Sequence, residues 1–258
     1  MDYLGGWFKV NAVREGVFAI SEPFHKMKVR SYLVVGSERA LLIDSGLGVC
    51  DIKAVVDDLT DLPVTVVTTH SHWDHIGGHA LFEEVMVHKL DAGWLTGGFP
   101  LGTDHIREML MKGLLAEPYR FFDPLDYICP TVANPHILKD GDRISDGTHS
   151  LLVIHTPGHS PGGISLFDER DGLLFTGDTI YRSRILAHFF STSPSDLMKS
   201  IVKLAGLGAG AVLPGHFDDI LPPSILQDGA FLAREMMDKG LDHHGTGLHR
   251  GRNLSFLF

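Results

Sequence analysis

At residues 68–78 the chain reads Thr68-Thr69-His70-Ser71-His72-Trp73-Asp74-His75-Ile76-Gly77-Gly78. Three imidazoles and one carboxylate are crowded into residues 70–75, directly after the apolar, β-branched run 64–69. Histidine and aspartate side chains are ligands that zinc and similar divalent cations select. The alternative is a polar loop whose histidines are capped by backbone carbonyls, an interpretation that suits one histidine better than four clustered donors. The stretch therefore predicts a metal site.

The local pattern also predicts where these ligands point. The run 64–69 is typical of a strand, and residues 77–82 are typical of the start of a short helix, so the ligands lie on a strand-to-helix loop. His70 and His72 are two residues apart in an extended chain and project to the same side, where they can share one ion. Once the chain bends toward the helix, Asp74 and His75 point elsewhere, toward a second ion.

Composition indicates a cytoplasmic protein with a sizeable core. The chain has 258 residues, 44% of them apolar, and a mean hydropathy of +0.09. No segment approaches the roughly 18 unbroken apolar residues of a membrane span, and the N-terminus has no basic region followed by an apolar one. Cys50 and Cys129 are isolated, which fits a reducing compartment and predicts no catalytic role.

The charge favours a small-molecule substrate over nucleic acid. The formal net charge is −10, which repels phosphate backbones, and no basic stripe offsets it. Short basic groups, such as Arg182 with Arg184 and Arg250 with Arg252, are interpreted as solvated edges. A homodimer is left open.

The remaining pattern predicts one domain over residues 1–258 with two β-rich halves, 1–88 and 136–258. Strands are predicted in the first half at 7–13, 16–21, 29–35, 39–44 and 64–69, with a helix over 52–59. In the second half they are predicted at 136–138, 150–155, 164–167, 173–176 and 211–213, with helices over 195–204 and 224–239. Two sheets with helices outside them predict an α/β (α+β) fold, a four-layer αββα sandwich. The tail 241–258 has no predicted structure.

Between the halves, residues 89–135 form a mainly helical or irregular insertion. The β pattern stops there, several prolines interrupt the segment, and one helix-like piece covers 104–115. Its apolar side chains include Trp94, Phe99, Phe121 and Phe122. They form either a satellite core under a long loop or an apolar lid over a substrate cleft.

Four further polar residues follow predicted strands. Asp44 ends the strand 39–44, where it either orients the metal loop or caps the next helix. His159 lies on a Pro/Gly turn after the strand 150–155, Asp178 follows 173–176, and His216 follows 211–213. One such residue is ordinary, but the three later ones together predict the rest of a metal site.

At these residues the sequence resembles the metallo-β-lactamase-fold superfamily of hydrolases. The pattern His-x-His-x-Asp-His at 70–75, followed by His159, Asp178 and His216, matches the family's dinuclear set, and the similarity extends over residues 10–220. The resemblance implies that His70, His72 and His159 hold a first metal ion. It implies that Asp74, His75 and His216 hold a second, with Asp178 bridging. It also implies the αββα fold.

The chemistry expected of such a centre is hydrolysis. Two cations, most simply zinc, with manganese, iron or cobalt as alternatives, turn a bridging water into hydroxide at neutral pH, and this hydroxide attacks a carbonyl. Asp74 is expected to orient the nucleophile or pass a proton. Tyr181 resembles a tyrosine of lactonase-like and some thioester-cleaving members, so its hydroxyl is a candidate donor to the oxyanion; a packed aromatic is the alternative. His155 is expected to support the loop that carries His159.

The predicted function is hydrolysis of a carboxylic ester, thioester or lactone. The insertion suits an acyl chain, and several phrases resemble the acyl-CoA-thioesterase-like and lactonase-like branches. If the substrate carries CoA, Arg182 and Arg184 or Arg250 and Arg252 are candidates for its phosphates, and His188 for the cleft mouth. The alternatives are a β-lactamase-like hydrolase and, in another class, a mononuclear iron sulfur dioxygenase.

Overall fold

The computed structural model describes residues 1–3, 6–115 and 122–258. Within them the chain divides into two compact units, Met1–Ile137 with Asp146–Thr148, and Leu138–Ser145 with His149–Phe258. Each unit has its own hydrophobic core. The description of the whole chain as one domain stays a prediction. Phe121, one of the predicted substrate-lining residues, lies outside the described residues.

The first unit is built on a sheet whose strands follow one another in chain order. These strands are β1 (Asp2–Tyr3), β2 (Phe8–Arg14), β3 (Val17–Ser21), β4 (Arg30–Val35), β5 (Ala40–Ile43), β6 (Val64–Val67), β7 (Glu84–His88) and β8 (His136–Leu138). Strands β2 to β5 confirm the first four predicted strands and form an antiparallel meander. Strands β5, β6 and β7 run parallel, with helix α1 (Ile52–Asp57) between the first two. Parallel neighbours end at the same edge of a sheet, so the residues that follow β5 and β6 meet there.

The described part of the insertion belongs to the core of the first unit. Helix α3 (Ala92–Gly97) buries Leu95, and helix α4 (Thr103–Gly113) buries Ile106 and Leu110 in that core. Helix α4 confirms the predicted helical piece, whereas α3 was not predicted. The Gly113 position must be glycine, because a Cβ there would lie 1.7 Å from Nε2 of the buried His25. The helices of the insertion are therefore packed in place.

The second unit contains two sheets. Its five-stranded sheet has the order β14-β12-β11-β10-β9, and a three-stranded sheet has the order β13-β16-β15. Their bounds are β9 (Arg143–Ser145), β10 (Ser150–His155), β11 (Ile164–Asp168), β12 (Leu173–Gly177), β13 (Arg184–Leu186), β14 (Ala211–Pro214), β15 (Leu248–Arg250) and β16 (Ser255–Leu257). The tail that had no predicted structure thus forms a hairpin of β15 and β16.

Two helices of the second unit confirm the sequence patterns. Helix α5 (Pro194–Ala205) has Pro194 in its first turn and is capped by Ser193, whose side chain accepts a hydrogen bond from the Asp196 N–H. It buries Leu197, Ile201 and Leu204, which recur at helical spacing. Helix α6 (Ser224–Asp238) follows β14. Of the helices in the described part of the chain, none is long and apolar enough to span a bilayer.

A buried carboxyl group holds the turn that follows β5. Glu22 is 2% exposed and accepts hydrogen bonds from Trp7 Nε1 at 2.8 Å and from the Leu47 N–H at 2.9 Å. A Cβ on Gly46 would lie 2.3 Å from Glu22 Oε2, so the carboxyl group packs directly on the glycine backbone. Burial raises the pKa of Glu22 to about 7, against the lowering effect of its hydrogen bonds.

This raised pKa predicts a stability that falls as the pH rises. The folded state favours the protonated carboxyl group of Glu22. Its contribution to the free energy of unfolding is therefore fully present below the pKa that Glu22 has in the unfolded chain, and it is lost as the pH rises through about 7. We expect Glu22→Gln to remove this dependence. Urea unfolding of the metal-free chain should show that, between pH 5 and pH 8, the free energy of unfolding falls by about 2 to 3 kcal/mol more in the wild type than in the variant.

The substitution keeps the size and the carbonyl oxygen of the side chain. The difference between the wild type and Glu22→Gln therefore reports the effect of protonating Glu22. Equal losses of unfolding free energy in the two proteins between pH 5 and pH 8 would show that Glu22 titrates normally.

Candidate metal centre

The metal loop of the first unit runs from the end of β6 into a short helix, α2 (Trp73–Ile76). His70, Asp74 and His75 are almost fully buried, while His72 is half-buried and is the N-cap residue of α2. The predicted strand-to-helix loop is confirmed, and a short 3-10 helix (His79–Leu81) lies within the predicted stretch 77–82, but the first helical turn begins earlier, at Trp73. Asp74 and His75 lie in the first turn of α2, because the chain bends directly after the extended backbone of His72.

Asp44 anchors this loop from the end of β5. Its carboxylate accepts hydrogen bonds from the Thr69 N–H at 2.7 Å, from Thr69 Oγ1 at 2.7 Å and from His75 Nδ1 at 2.9 Å. The alternative role as a helix cap was wrong, since Asp51 caps α1. Asp44 has a φ of +57°, a left-handed conformation that aspartate tolerates better than most residues. The backbone thus turns to aim the carboxylate at the loop.

These contacts decide which ring nitrogen His70 and His75 can offer to a metal ion. Thr69 gives its one hydroxyl proton to Asp44, so His70 Nδ1, 3.1 Å from Thr69 Oγ1, must be the donor in that pair. His75 Nδ1 likewise donates to the Asp44 carboxylate. Both rings therefore carry their lone pair on Nε2, the form in which histidine binds a metal through Nε2. One ligand atom each of Asp44, His70 and His75 lies within 4.8 Å of the others.

A neutral histidine supports the loop from behind. His79 is fully buried and bridges Ser45 Oγ at 2.5 Å and Thr68 Oγ1 at 2.8 Å. Burial is the largest cause that lowers the pKa of His79 to about 3, with His75 as the second, so the ring is uncharged at neutral pH. Its two hydrogen bonds connect the segment after β5 to the segment after β6.

A second residue that supports the metal loop, Asp91, was not predicted from the sequence. Its carboxylate accepts a hydrogen bond from the Ser71 N–H at 3.1 Å, and its carbonyl accepts one from Ser71 Oγ at 3.2 Å. The residue is fully buried just before α3. A signal was available, because an aspartate next to the apolar run that begins α3 fits a cap or a buried anchor.

Aromatic side chains of the insertion lie against one candidate ligand. The Trp94 ring is stacked on His72 with the centroids 6.0 Å apart, and Phe99 meets His72 edge-on at 5.3 Å. Phe122 instead packs with Tyr127, 6.3 Å between centroids, beside the core of the first unit. Of the described aromatic residues predicted to line the substrate cleft, Trp94 and Phe99 thus contact a candidate metal ligand.

In the second unit, His159 sits on a tight loop between β10 and β11. Gly158, with a φ of +133°, lies so close to α5 that a Cβ would be 2.3 Å from the Leu197 nitrogen. The Gly158 carbonyl accepts a hydrogen bond from the Ser193 N–H, and the Pro157 carbonyl accepts one from Ser200 Oγ. The N-terminal half of α5 therefore fixes the turn that presents His159.

Asp178 and His216 meet because their strands are parallel neighbours. They follow β12 and β14, which pair in parallel, and the Gly215 N–H donates to the Gly177 carbonyl at 2.9 Å. Asp178 Oδ2 lies 3.1 Å from His216 Nε2 and 3.3 Å from His159 Nε2. The three predicted later ligands of the second unit thus lie together, with His159 and His216 both close to one carboxylate oxygen of Asp178.

The hydroxyl of Tyr181 faces a backbone carbonyl. Its ring is buried and lies edge-on to His216, 5.4 Å between centroids, while the hydroxyl donates to the Arg184 carbonyl at 3.1 Å. A phenol has one proton to donate. A role as donor to an oxyanion therefore requires the hydroxyl to exchange the Arg184 carbonyl for the substrate oxygen.

The other predicted residues of the second unit lie around this group. His155 Nε2 contacts the Pro161 carbonyl at 2.9 Å, which closes the loop that carries His159. Arg182 is exposed and lies 3.9 Å from Asp218, and Arg184 is exposed on β13. The His188 ring is tilted against Phe189, with the centroids 4.1 Å apart, and its pKa is lowered first by burial and then by His159 and His244.

Neither cysteine has the character of a nucleophile. Cys50 and Cys129 are half-buried free thiols. Burial is the largest cause that raises the pKa of each to about 12, so both remain protonated at neutral pH.

Asp44 gives a direct test of how the metal loop is held. We expect Asp44→Asn to weaken metal binding by about 10- to 100-fold, because an amide nitrogen facing His75 Nδ1 would place the His75 proton on Nε2. Asparagine tolerates the left-handed backbone, so the fold should persist. Titration against a chelating dye measures the affinity.

Asp51→Asn is the matched control, since asparagine caps a helix as well as aspartate does. An affinity that is unchanged in Asp44→Asn and in the control would contradict the anchoring role of Asp44.

Comparison with known proteins extends these observations. The family model of the metallo-beta-lactamase superfamily matches residues 27–216. Acyl-coenzyme A thioesterase MBLAC2 from Gallus gallus is 33% identical over 227 residues, with 82% of this chain and 81% of that protein covered. Its Homo sapiens counterpart is 31% identical over 236 residues, with 82% of each chain covered.

A solved structure shows the same fold. The metallo-beta-lactamase family protein TTHA1429 from Thermus thermophilus matches with a TM-score of 0.67 and 22% identity, covering 88% of this chain and 81% of that one. The predicted metallo-β-lactamase fold is confirmed. The chain belongs to the metallo-β-lactamase superfamily and is a metal-dependent hydrolase.

Proposed function

We propose that the chain hydrolyses acyl thioesters, with acyl-CoA as the substrate class, at a centre of two divalent metal ions. The observation that carries the substrate class is the similarity, over about four fifths of both chains, to proteins named acyl-coenzyme A thioesterase. The proposed reaction adds water across the thioester, breaks the carbon–sulfur bond and releases a carboxylic acid and a thiol.

The donor set fits two divalent cations, with zinc proposed first. It contains five imidazoles and two carboxylates, and such nitrogen and oxygen ligands suit zinc, with iron, manganese and cobalt as alternatives. In this assignment His70, His72 and His159 hold one ion, Asp74, His75 and His216 hold the other, and Asp178 serves both. The hydrogen bonds of His70, His75 and His159 through Nδ1 support the assignment, since each ring then presents Nε2.

When bound, two such ions acidify a water molecule and polarise the substrate carbonyl. The chain's own residues do the rest. Asp74, held in the first turn of α2, orients the attacking water through its carboxylate. The buried surroundings of His70, His75 and Asp178 keep bulk water away, which strengthens each charge interaction with the substrate.

The acyl chain is proposed to lie along the aromatic residues of the insertion. Trp94 and Phe99 pack on His72 and are partly exposed, so they offer apolar surface directly beside a proposed metal ligand. Apolar walls with few polar groups are typical of small-molecule pockets. Arg182 and Arg184 remain candidates for the CoA phosphates, and His188 for the mouth of the cleft. The homodimer, the absence of a nucleic-acid partner and the cytoplasmic location stay predictions.

Tyr181 is proposed to donate to the oxyanion that forms during attack. Its ring contacts His216, which places the side chain beside a proposed ligand of the second ion. The hydroxyl would have to leave the Arg184 carbonyl, which it contacts at 3.1 Å. That exchange costs a hydrogen bond, so the gain in kcat from Tyr181 is expected to be smaller than the gain from a preformed oxyanion hole.

We expect Tyr181→Phe to lower kcat by about tenfold with the metal content unchanged, because the ring packing is kept and one donor is lost. Steady-state kinetics with an acyl-CoA substrate measures the effect. Tyr3→Phe is the control, since it removes a hydroxyl in β1 without touching the candidate centre. A kcat equal to that of the control would assign Tyr181 to packing alone.

The substrate class is tested with a hydrolysis panel. Acyl-CoA thioesters of increasing chain length, acyl-pantetheine thioesters, lactones, phosphodiesters and β-lactams should be compared under the same conditions. We expect the highest kcat/KM for thioesters, a rise with chain length, and loss of activity after a chelator removes the metal. Trp94→Ala should raise KM more for long chains than for short ones, because a long chain loses more apolar contact.

Leu90→Ala is the matched control, since it truncates an exposed apolar side chain close to α3. A panel in which β-lactams, lactones or phosphodiesters exceed every thioester would contradict the proposed substrate class. Thioester hydrolysis that survives complete removal of metal would contradict the proposed mechanism.

A further inference from the structure

One peptide group in the second unit connects His159 to the C-terminal hairpin. The carbonyl of Leu186 accepts a hydrogen bond from His159 Nδ1 at 2.9 Å. The N–H of Ala187, in the same peptide group, donates to the Leu257 carbonyl at 2.9 Å. In a planar trans peptide the C=O and the N–H point in opposite directions. Holding the N–H on β16 therefore aims the carbonyl at His159.

We propose that strand β16 positions the metal ligand His159 through the Leu186–Ala187 peptide. The inference rests on the proposed role of His159 as a ligand and deepens it. A histidine ligand needs a hydrogen-bond acceptor at its other nitrogen, which fixes the ring orientation and the tautomer. Here that acceptor is a backbone carbonyl whose direction is set by the C-terminal hairpin.

The pairing of β13 with β16 is extensive enough to fix the peptide. The two strands are parallel, with Leu186 opposite Leu257, and the Ser255 N–H donates to the Ser183 carbonyl at 3.0 Å. In the described part of the chain, β13 is an edge strand with β16 as its strand neighbour. Its position on the sheet therefore depends on the hairpin.

The hairpin itself is anchored in the core of the second unit. Phe256 is fully buried, and its ring is stacked on Phe258 with the centroids 5.7 Å apart. Strand β15 pairs with β16, and Gly247 and Phe258 exchange two backbone hydrogen bonds. A strand fixed on both sides gives the peptide little freedom to rotate.

A second contact holds the segment that follows the peptide. Thr192 Oγ1 lies 3.0 Å from Nε2 of His244, and the same hydroxyl donates to the Phe189 carbonyl at 2.7 Å. Both ends of the segment 187–192 thus depend on the tail. The tail lies outside residues 27–216, which the family model matches.

Ala187→Pro tests the inference directly. Proline removes the N–H that β16 holds, while its restriction of the preceding residue to extended backbone suits Leu186 in β13. We expect the ion that His159 binds to be held about tenfold more weakly or worse, and the other ion to be less affected. Ala187→Ser is the matched control, because it keeps the N–H. Two-step metal titration measures both affinities.

A readout without metal separates this inference from the proposed function. In the metal-free wild type and Ala187→Ser, nitrogen-15 NMR should show the His159 Nδ1 proton protected by its bond to Leu186, and in Ala187→Pro this protection should be lost. A wild type that hydrolyses no thioester, while only Ala187→Pro loses protection, would contradict the proposed function and support the inference. Equal protection and equal metal affinity in a folded Ala187→Pro would overturn it.

A milder variant keeps the test decisive if Ala187→Pro does not fold. Phe256→Leu loosens β16 from within the core, and Phe231→Leu makes the same change at an exposed position of α6. We expect Phe256→Leu alone to weaken protection of the His159 proton, by about threefold in its exchange rate. Equal exchange in the two leucine variants would overturn the inference.

Discussion

Three of the five histidines proposed as ligands, His70, His75 and His159, make a hydrogen bond through Nδ1, and this is the constraint on which the candidate centre depends. A neutral imidazole has one N–H and one lone pair, so the acceptor at Nδ1 decides that Nε2 faces the metal. Thr69 provides that acceptor for His70, Asp44 for His75, and the Leu186 carbonyl for His159. These three acceptors come from a side-chain hydroxyl, a carboxylate and the backbone. The fold must therefore position the residues behind the ligands as accurately as the ligands themselves.

Parallel strand pairs do most of this positioning. In the first unit, β5 and β6 end at one edge, which brings Asp44 within hydrogen-bond distance of Thr69. In the second, β12 and β14 end together, which brings Asp178 to His216. Each polar residue extends just beyond a buried apolar strand, where the ladder no longer uses its backbone and the side chain can turn toward its partner.

Much of this could be predicted from the sequence, because the strands are apolar and the donors follow them directly. The meander, the metal loop, the loop that carries His159 and helix α5 all agree with local patterns. The start of α2 was misplaced, since a single helical turn of four residues has too little periodicity to recognise. His159 and His216 could be singled out as candidate ligands among sixteen histidines because each lies on a loop that follows an apolar strand.

The supports of the ligands were harder to predict. The Leu186 carbonyl is a backbone group, and every residue type has one, so the sequence does not indicate its role. Strands β13, β15 and β16 have three residues each and lie in segments without clear alternation, so the hairpin leaves almost no signal in the sequence. The stacking of Trp94 on His72 depends on α3, a short helix that interrupts a segment rich in glycine and proline. Such contacts appear only when distant segments are brought together.

Metal content per folded chain is the measurement that decides whether the seven proposed side chains hold two metal ions. Elemental analysis should be made on the wild type, on His216→Ala and on His243→Ala, a control that changes a histidine of the tail. We expect two ions per chain in the wild type and the control, and one in His216→Ala. One ion per wild-type chain, unchanged by His216→Ala, would contradict the two-ion assignment.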